Sequence, residues 1–230
     1  MQNISSVSHP IYKESTKNQL KIVTQLVADG EVGSKILMDW MIFAQDQSDN
    51  LALGKAYHAL YGNKSPQVQK FLEDNFPNGV VSLNSASGID YLPLQRLLAE
   101  QDFQQADVVT LQKMCELAGK AAMERKWLYF TEVVNFPSTD LQTLDRLWLM
   151  SSEGKFGFSV QRKIWLGVGQ DFAKLWSKIS WKSGNSWTRY PQEFIWDLTA
   201  PQGHLPLSNQ LRGVRVIDAI FAHSAWSPKD

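Results

Sequence analysis

Apolar residues recur every three or four positions through most of the chain, the spacing of helices that bury one face. In TKNQLKIVTQLVADG, Leu20, Val23, Leu26 and Val27 keep that period, and Gly30 is placed to end the helix. SKILMDWMIFAQDQ follows, with Ser34 as its expected N-cap. NLALGKAYHALYGN closes at Gly62, and SPQVQKFLEDNF opens on Ser65 and Pro66 and closes at Pro77. Links this short fold four helices into an antiparallel helical bundle or a stack of helical hairpins. No convincing internal repeat is visible. The bundle is assigned to residues 1–80. NGVVSLNSASG, rich in Ser, Asn and Gly and without helical period, predicts a linker over residues 81–88.

The helical period returns over residues 89–230. IDYLPLQRLLAEQDF has Asp90 as a candidate cap, and ADVVTLQKMCELAG stops at Gly119. KWLYFTEVVNFP is short and aromatic. STDLQTLDRLWLMSSEG opens with a capping pattern at Ser138 or Thr139. FSVQRKIWLGVG places Ser159 before its apolar run, and DFAKLWSKIS places Asp171 before its own. Between Gly184 and Pro206 the period fails: GNSWTRYPQEFIWDLTAPQGHLP holds three prolines and two glycines, which rule out one long helix, together with Trp187, Tyr190, Phe194 and Trp196. The last helix is expected from Ser208. There Val214, Ile217 and Phe221 share an inward face, Arg212 and Arg215 lie about 60° apart on the other side, and Asn209 sits near the boundary. The predicted fold class is all-α: a helical bundle joined to a mostly helical core domain carrying a long irregular loop.

Composition narrows the function. With 43% hydrophobic and 20% charged residues the chain is that of an ordinary globular protein. Its 23 basic and 23 acidic residues cancel, which argues against nucleic-acid binding through bulk positive charge. The single cysteine, Cys115, has no intrachain disulfide partner and reads as a small buried apolar residue. No run is apolar enough to span a membrane, and the N-terminal residues resemble neither a secretory signal nor a transit peptide, so a cytoplasmic location is expected. Of nine tryptophans, eight follow residue 120, which suggests that the two domains have different jobs. Trp148, Trp165 and Trp176 fall at core spacing.

Phosphate loops, dinucleotide loops and nucleophile elbows are absent from the sequence. The four histidines are scattered, so no zinc site and no catalytic residue is expected. The aromatic stretch suits either a core or a flat conjugated ligand. Such a ligand needs apolar walls and a few polar groups at its edge. Peripheral carboxylates would suit Arg212 and Arg215, and a magnesium ion in the ligand would take an oxygen donor such as a water held by Asn209.

DLQTLDRLW, EGKFGFSVQ, WTRYPQEFIWDL, APQGHLP and NQLRGVR, in that order, resemble the core of the genomes-uncoupled-four family over roughly residues 88–226. The helical bundle in front resembles the cyanobacterial members. The resemblance implies a non-enzymatic regulator with a cupped, mostly helical core that binds protoporphyrin IX and magnesium-protoporphyrin IX and requires no other cofactor. It further implies stimulation of magnesium chelatase through that enzyme's large porphyrin-binding subunit. By the same resemblance Phe130 and Val133 line the cavity, and Trp187, Tyr190 and Phe194 belong to a flexible loop over it. Arg212 and Arg215 face the propionates, with Asn209 near the metal. A monomer is expected, and its greasy concave face is a candidate for peripheral membrane association. Two other readings stand beside this one. One is a helical protein-interaction module whose aromatic surface binds a partner protein instead of a pigment; the other is a tetrapyrrole-modifying enzyme.

Overall fold

The computed structural model describes residues 9–47, 49–207 and 213–227. The chain folds as two compact units, residues 1–82 and 83–230. Among the described residues there are twelve α-helices and one two-stranded ladder, so the chain is all-α as its periodicity predicts.

The first unit holds α1 (Thr16–Ala28), α2 (Gly30–Ala44), α3 (Leu51–Tyr61) and α4 (Pro66–Asn75). α1 packs on α2 and α3, and α4 packs on both of these. Gly30, at φ +64°, separates α1 from α2 but also begins the second helix. Ser34 is therefore inside α2 and is not its N-cap; its hydroxyl donates to the Gly30 carbonyl at 2.8 Å. Asn50 caps α3 by accepting from the Ala52 N–H at 3.0 Å.

The second unit holds α5 (Leu92–Ala99), α6 (Phe103–Ala118), α7 (Lys120–Arg125), α8 (Phe130–Val133), α9 (Ser138–Ser151), α10 (Phe158–Gly167), α11 (Phe172–Lys178) and α12 (Arg215–Ala222). Trp148 of α9 is fully buried, with Phe103 and Phe156 packed on its ring at 5.9 and 6.4 Å. Its indole N–H donates to the Thr110 hydroxyl at 3.0 Å. A second aromatic run joins α12 to the irregular loop: Phe221, Trp165, Phe172, Trp176 and Trp181 follow one another at 5.2–5.4 Å. Trp176 is 6% exposed, while Trp165 is only half-buried and its indole N–H lacks a partner. These rings place Trp148, Trp176 and Trp181 in the core of the second unit.

Several caps differ from expectation. α9 starts after Pro137, with no capping bond from Ser138 or Thr139. α10 starts after Gly157, and the Ser159 N–H is taken instead by Asp145 of α9 at 2.8 Å. The expected linker is fastened at its far end. Asp140, fully buried, accepts from the Ser85 hydroxyl, from the Ala86 N–H at 2.9 Å and from the Tyr91 hydroxyl at 2.9 Å. Described helix begins at Arg215, with Gly213 and Val214 before it outside the helix, and Val214 is 39% exposed instead of facing inward. Ser208 to Arg212, including Asn209 and Arg212, lie outside the described residues.

Candidate functional site

One cavity of the second unit is built on one stripe of α6. Asp102 caps this helix by accepting from the Gln105 N–H at 3.1 Å. Gly119, at φ +97°, then turns the chain into α7. Asp107, Val108, Leu111, Gln112, Cys115 and Glu116 repeat at helical spacing along one side. Met123 and Lys126 close a second side, and Tyr190 and Leu207 a third, around about 520 Å³.

A second crevice, of about 390 Å³, lies between α8 and α12. It depends on the corner after α7. The Arg125 guanidinium carbon sits 4.7 Å from the Trp127 ring centre and 4.4 Å from that of Tyr129. The same guanidinium donates to both oxygens of Glu132, at 2.8 and 2.7 Å. Glu132 in turn accepts from the Tyr129 N–H at 2.8 Å. This clamp fixes α8 where it packs on α12. Phe130 and Val134 then face Arg215, whose guanidinium carbon is 5.4 Å from the Phe130 ring centre. Met123, Tyr129, Phe130 and Val134 leave 39–63% of their surface exposed, an apolar rim along this corner.

The irregular stretch is more ordered than its prolines and glycines suggest. Lys182–Ser183 pair antiparallel with Ser186–Trp187. Phe194 is 5% exposed and packs on His204, Trp196 and Trp181 at 5.0, 5.8 and 6.4 Å. The buried His204 ring donates from Nδ1 to the Ile179 carbonyl at 2.6 Å, while Nε2 accepts from the Ile195 N–H at 3.1 Å. Burial holds this imidazole below its ordinary pKa, as a ring that must accept at Nε2 requires. Trp196 donates to the Pro191 carbonyl at 2.9 Å. His204 and Trp196 thus anchor the stretch.

The expected site residues divide accordingly. Tyr190 lines the α6 cavity. Phe130 and Arg215 line the crevice together. Trp187 is 43% exposed and lies 6.0 Å from Trp176, apart from both hollows. Val133 is fully buried and presents no surface; Val134, one residue on, is the valine that lines the crevice. Phe194 is likewise enclosed by its neighbours and lines neither hollow. The α6 stripe went unrecognised in the sequence. Its apolar positions, Val108, Leu111 and Cys115, have the spacing of an ordinary core face.

The cavity is apolar with few polar groups, the usual make-up of a small-molecule site. Burial pushes the Cys115 thiol up to about 11, so it is a neutral wall and no nucleophile near neutral pH. Asp107 is 5% exposed and accepts from the Leu207 N–H at 2.6 Å. Burial lifts its carboxyl to about 7, against a smaller downward pull from that hydrogen bond. Tyr190 is raised above its ordinary value by burial and then by the charge of Asp107. Among the described residues no group of three or more His, Cys, Asp or Glu could hold a metal ion. No helix among them is long and apolar enough to cross a membrane.

Residues 84–224 match the family model described as GUN4-like. Residues 1–77 match one described as an ARM-like repeat domain, GUN4-N terminal, which accords with stacked helical hairpins although no repeat is evident in the sequence. The Ycf53-like protein of Synechocystis is 50% identical over 98% of this chain and 97% of its own. The chloroplastic tetrapyrrole-binding protein of Arabidopsis thaliana is 38% identical over 60% of this chain and 55% of its own. The solved structure of GUN4 from Chlamydomonas reinhardtii superposes with a TM-score of 0.60 at 45% identity, covering 63% of this chain and 95% of that one.

Proposed function

The chain belongs to the GUN4-like family, and on that premise we propose that it is a non-enzymatic tetrapyrrole-binding protein. Its ligands are protoporphyrin IX and magnesium-protoporphyrin IX, and it stimulates magnesium chelatase by engaging that enzyme's large porphyrin-binding subunit. The observation that carries the binding reading is an apolar cavity mouthed by Tyr190 in the same unit as a crevice where Arg215 covers Phe130. No carboxylate pairs with Arg215 among the described residues. A free guanidinium beside apolar walls suits a flat apolar ligand with ionised groups at its edge. Arg212 would join Arg215 at the propionates, and Asn209 would hold a water on the magnesium. The test is a protoporphyrin titration followed by tryptophan fluorescence and the Soret band. A saturable change at micromolar ligand is expected; its absence overturns the reading. Arg215→Ala should weaken porphyrins with free propionates about tenfold or more, a charge-assisted bond's worth, and dimethyl esters far less. Equal losses would show that Arg215 does not read carboxylates.

The exposed rim of Met123, Tyr129, Phe130 and Val134 also favours a partner protein at this corner. Capture of the chelatase subunit after complete removal of tetrapyrrole would assign the rim to that contact; capture only with pigment bound would assign it to the ligand.

A further inference from the structure

Asp107 is a strange wall for an apolar cavity. It projects from α6 among Val108, Leu111 and Leu207 and keeps only 5% of its surface exposed. Among the described residues only the Leu207 N–H, at 2.6 Å on Oδ1, hydrogen-bonds to it, and none of them bonds to Oδ2. No cation pairs with it there either. A buried carboxylate with one neutral donor is poorly compensated. Beyond the described residues that touch it, the carboxyl faces the cavity it lines.

We propose that Asp107 is a ligand-contacting residue that binds apolar ligands in its neutral carboxylic-acid form, so that filling the cavity draws a proton from solvent. An apolar ligand displaces the water that solvates the free oxygen. That penalises the charged form further and leaves the acid, whose carbonyl still accepts from Leu207 and whose O–H is a new donor. The proton comes from bulk water and no other bond changes. The same group fixes polarity: a ligand carboxylate directed at Asp107 would meet a like charge, so ionised edges point away from it. The inference rests on the cavity part of the proposed function and not on the identity of the pigment.

The neighbouring titratable groups do not supply this proton. Glu116, on the same helix, is ion-paired to Lys113 at 3.0 Å. Lys126 enters from the end of α7 and Tyr190 from the irregular loop. Arg96 of α5, which packs on α6, and Glu100 just after that helix are exposed. Tyr190 and Cys115 are both raised and stay protonated near neutrality. Asp107, at about 7 before ligand enters, is the group poised to change. Below that value it already carries its proton and binding takes up none. Above it, each ligand bound takes up close to one proton, and affinity falls by about tenfold per pH unit until the liganded value is reached.

The experiment is calorimetric titration of the full chain at about pH 8 in buffers of different ionisation enthalpy, with two probes. One is protoporphyrin IX; the other is N-phenylnaphthylamine, which is uncharged there. Wild type should take up nearly one proton per probe bound. Asp107→Asn, which keeps an acceptor for Leu207, should take up none and hold its affinity level across the same range. Binding without uptake by wild type, or unchanged uptake by the variant, overturns the proposal. Uptake with the uncharged probe and no porphyrin binding overturns the tetrapyrrole reading and leaves Asp107 as argued. If the variant does not fold, the carbon-13 resonance of the wild-type Asp107 carboxyl decides: it should move to the protonated position when a probe binds, and an ionised signal in the complex overturns the proposal.

Discussion

Phe194 and Trp187 are seven positions apart in one irregular stretch, and each would suit a porphyrin. Their surroundings give them opposite jobs. Phe194 has 5% of its surface exposed and is boxed by Trp181, Trp196 and His204, whereas Trp187 keeps 43% exposed. Phe194→Ala should therefore cost roughly 3–5 kcal/mol of unfolding free energy, as a large core deletion does. Trp187→Ala should stay within about 1 kcal/mol. Urea denaturation of the two variants checks this, and equal losses would mean that Phe194 is not the anchor. The sequence could not separate the two rings, because aromatic identity says nothing of what lies behind each one. Val133 and Val134 teach the same lesson. A short helix of four residues carries too little period to fix its phase, so the crevice-facing valine is legible only once α12 is in place.

At the scale of elements, stop signals were legible and start signals less so. Gly30, Gly119 and Pro77 end helices where the sequence predicts, and Asp171 caps α11 by accepting from the Lys174 N–H at 3.1 Å. These are local effects, decided within a turn of the chain. The start of α10 is not local. Asp145, on α9, supplies the acceptor for the Ser159 N–H, and Gly157, at φ +137°, lets the chain approach it. A Cβ on Gly157 would stand 2.7 Å from Asp145 Oδ1. Gly157→Ala should thus lose both the backbone conformation and that acceptor, at a cost of roughly 2–4 kcal/mol. A thermal melt within a degree or two of wild type would show that the α9–α10 junction relaxes freely. The α6 stripe failed to announce itself for a related reason. Val108, Leu111 and Cys115 look the same in sequence whether a helix or a hollow faces them.

The division of the chain offers a sharper test than the domain boundary alone. Ser, Asn and Gly between residues 78 and 88 read as a loose connection. In the structure the connection changes character within a few residues. The boundary between the units falls after Ser82, yet Ser85 and Ala86 already satisfy Asp140 in the second unit. Asp140 is fully buried, and Tyr91 is its remaining partner from this region. Two truncations that differ by six residues at the start should therefore behave differently. Residues 83–230 keep every hydrogen bond to Asp140 and should unfold in one cooperative step, with porphyrin affinity within a few-fold of the full chain. Residues 89–230 remove two donors and strand a buried carboxylate, which should cost roughly 2–4 kcal/mol. Urea denaturation followed by tryptophan fluorescence compares them, since eight of the nine tryptophans lie in both fragments. Equal midpoints would mean that the segment before Ile89 contributes nothing and that Asp140 is solvated once it is removed. A lower midpoint for the shorter fragment, relieved by Asp140→Asn, would assign the difference to that carboxylate. The six residues would then belong to the second unit and not to a spacer.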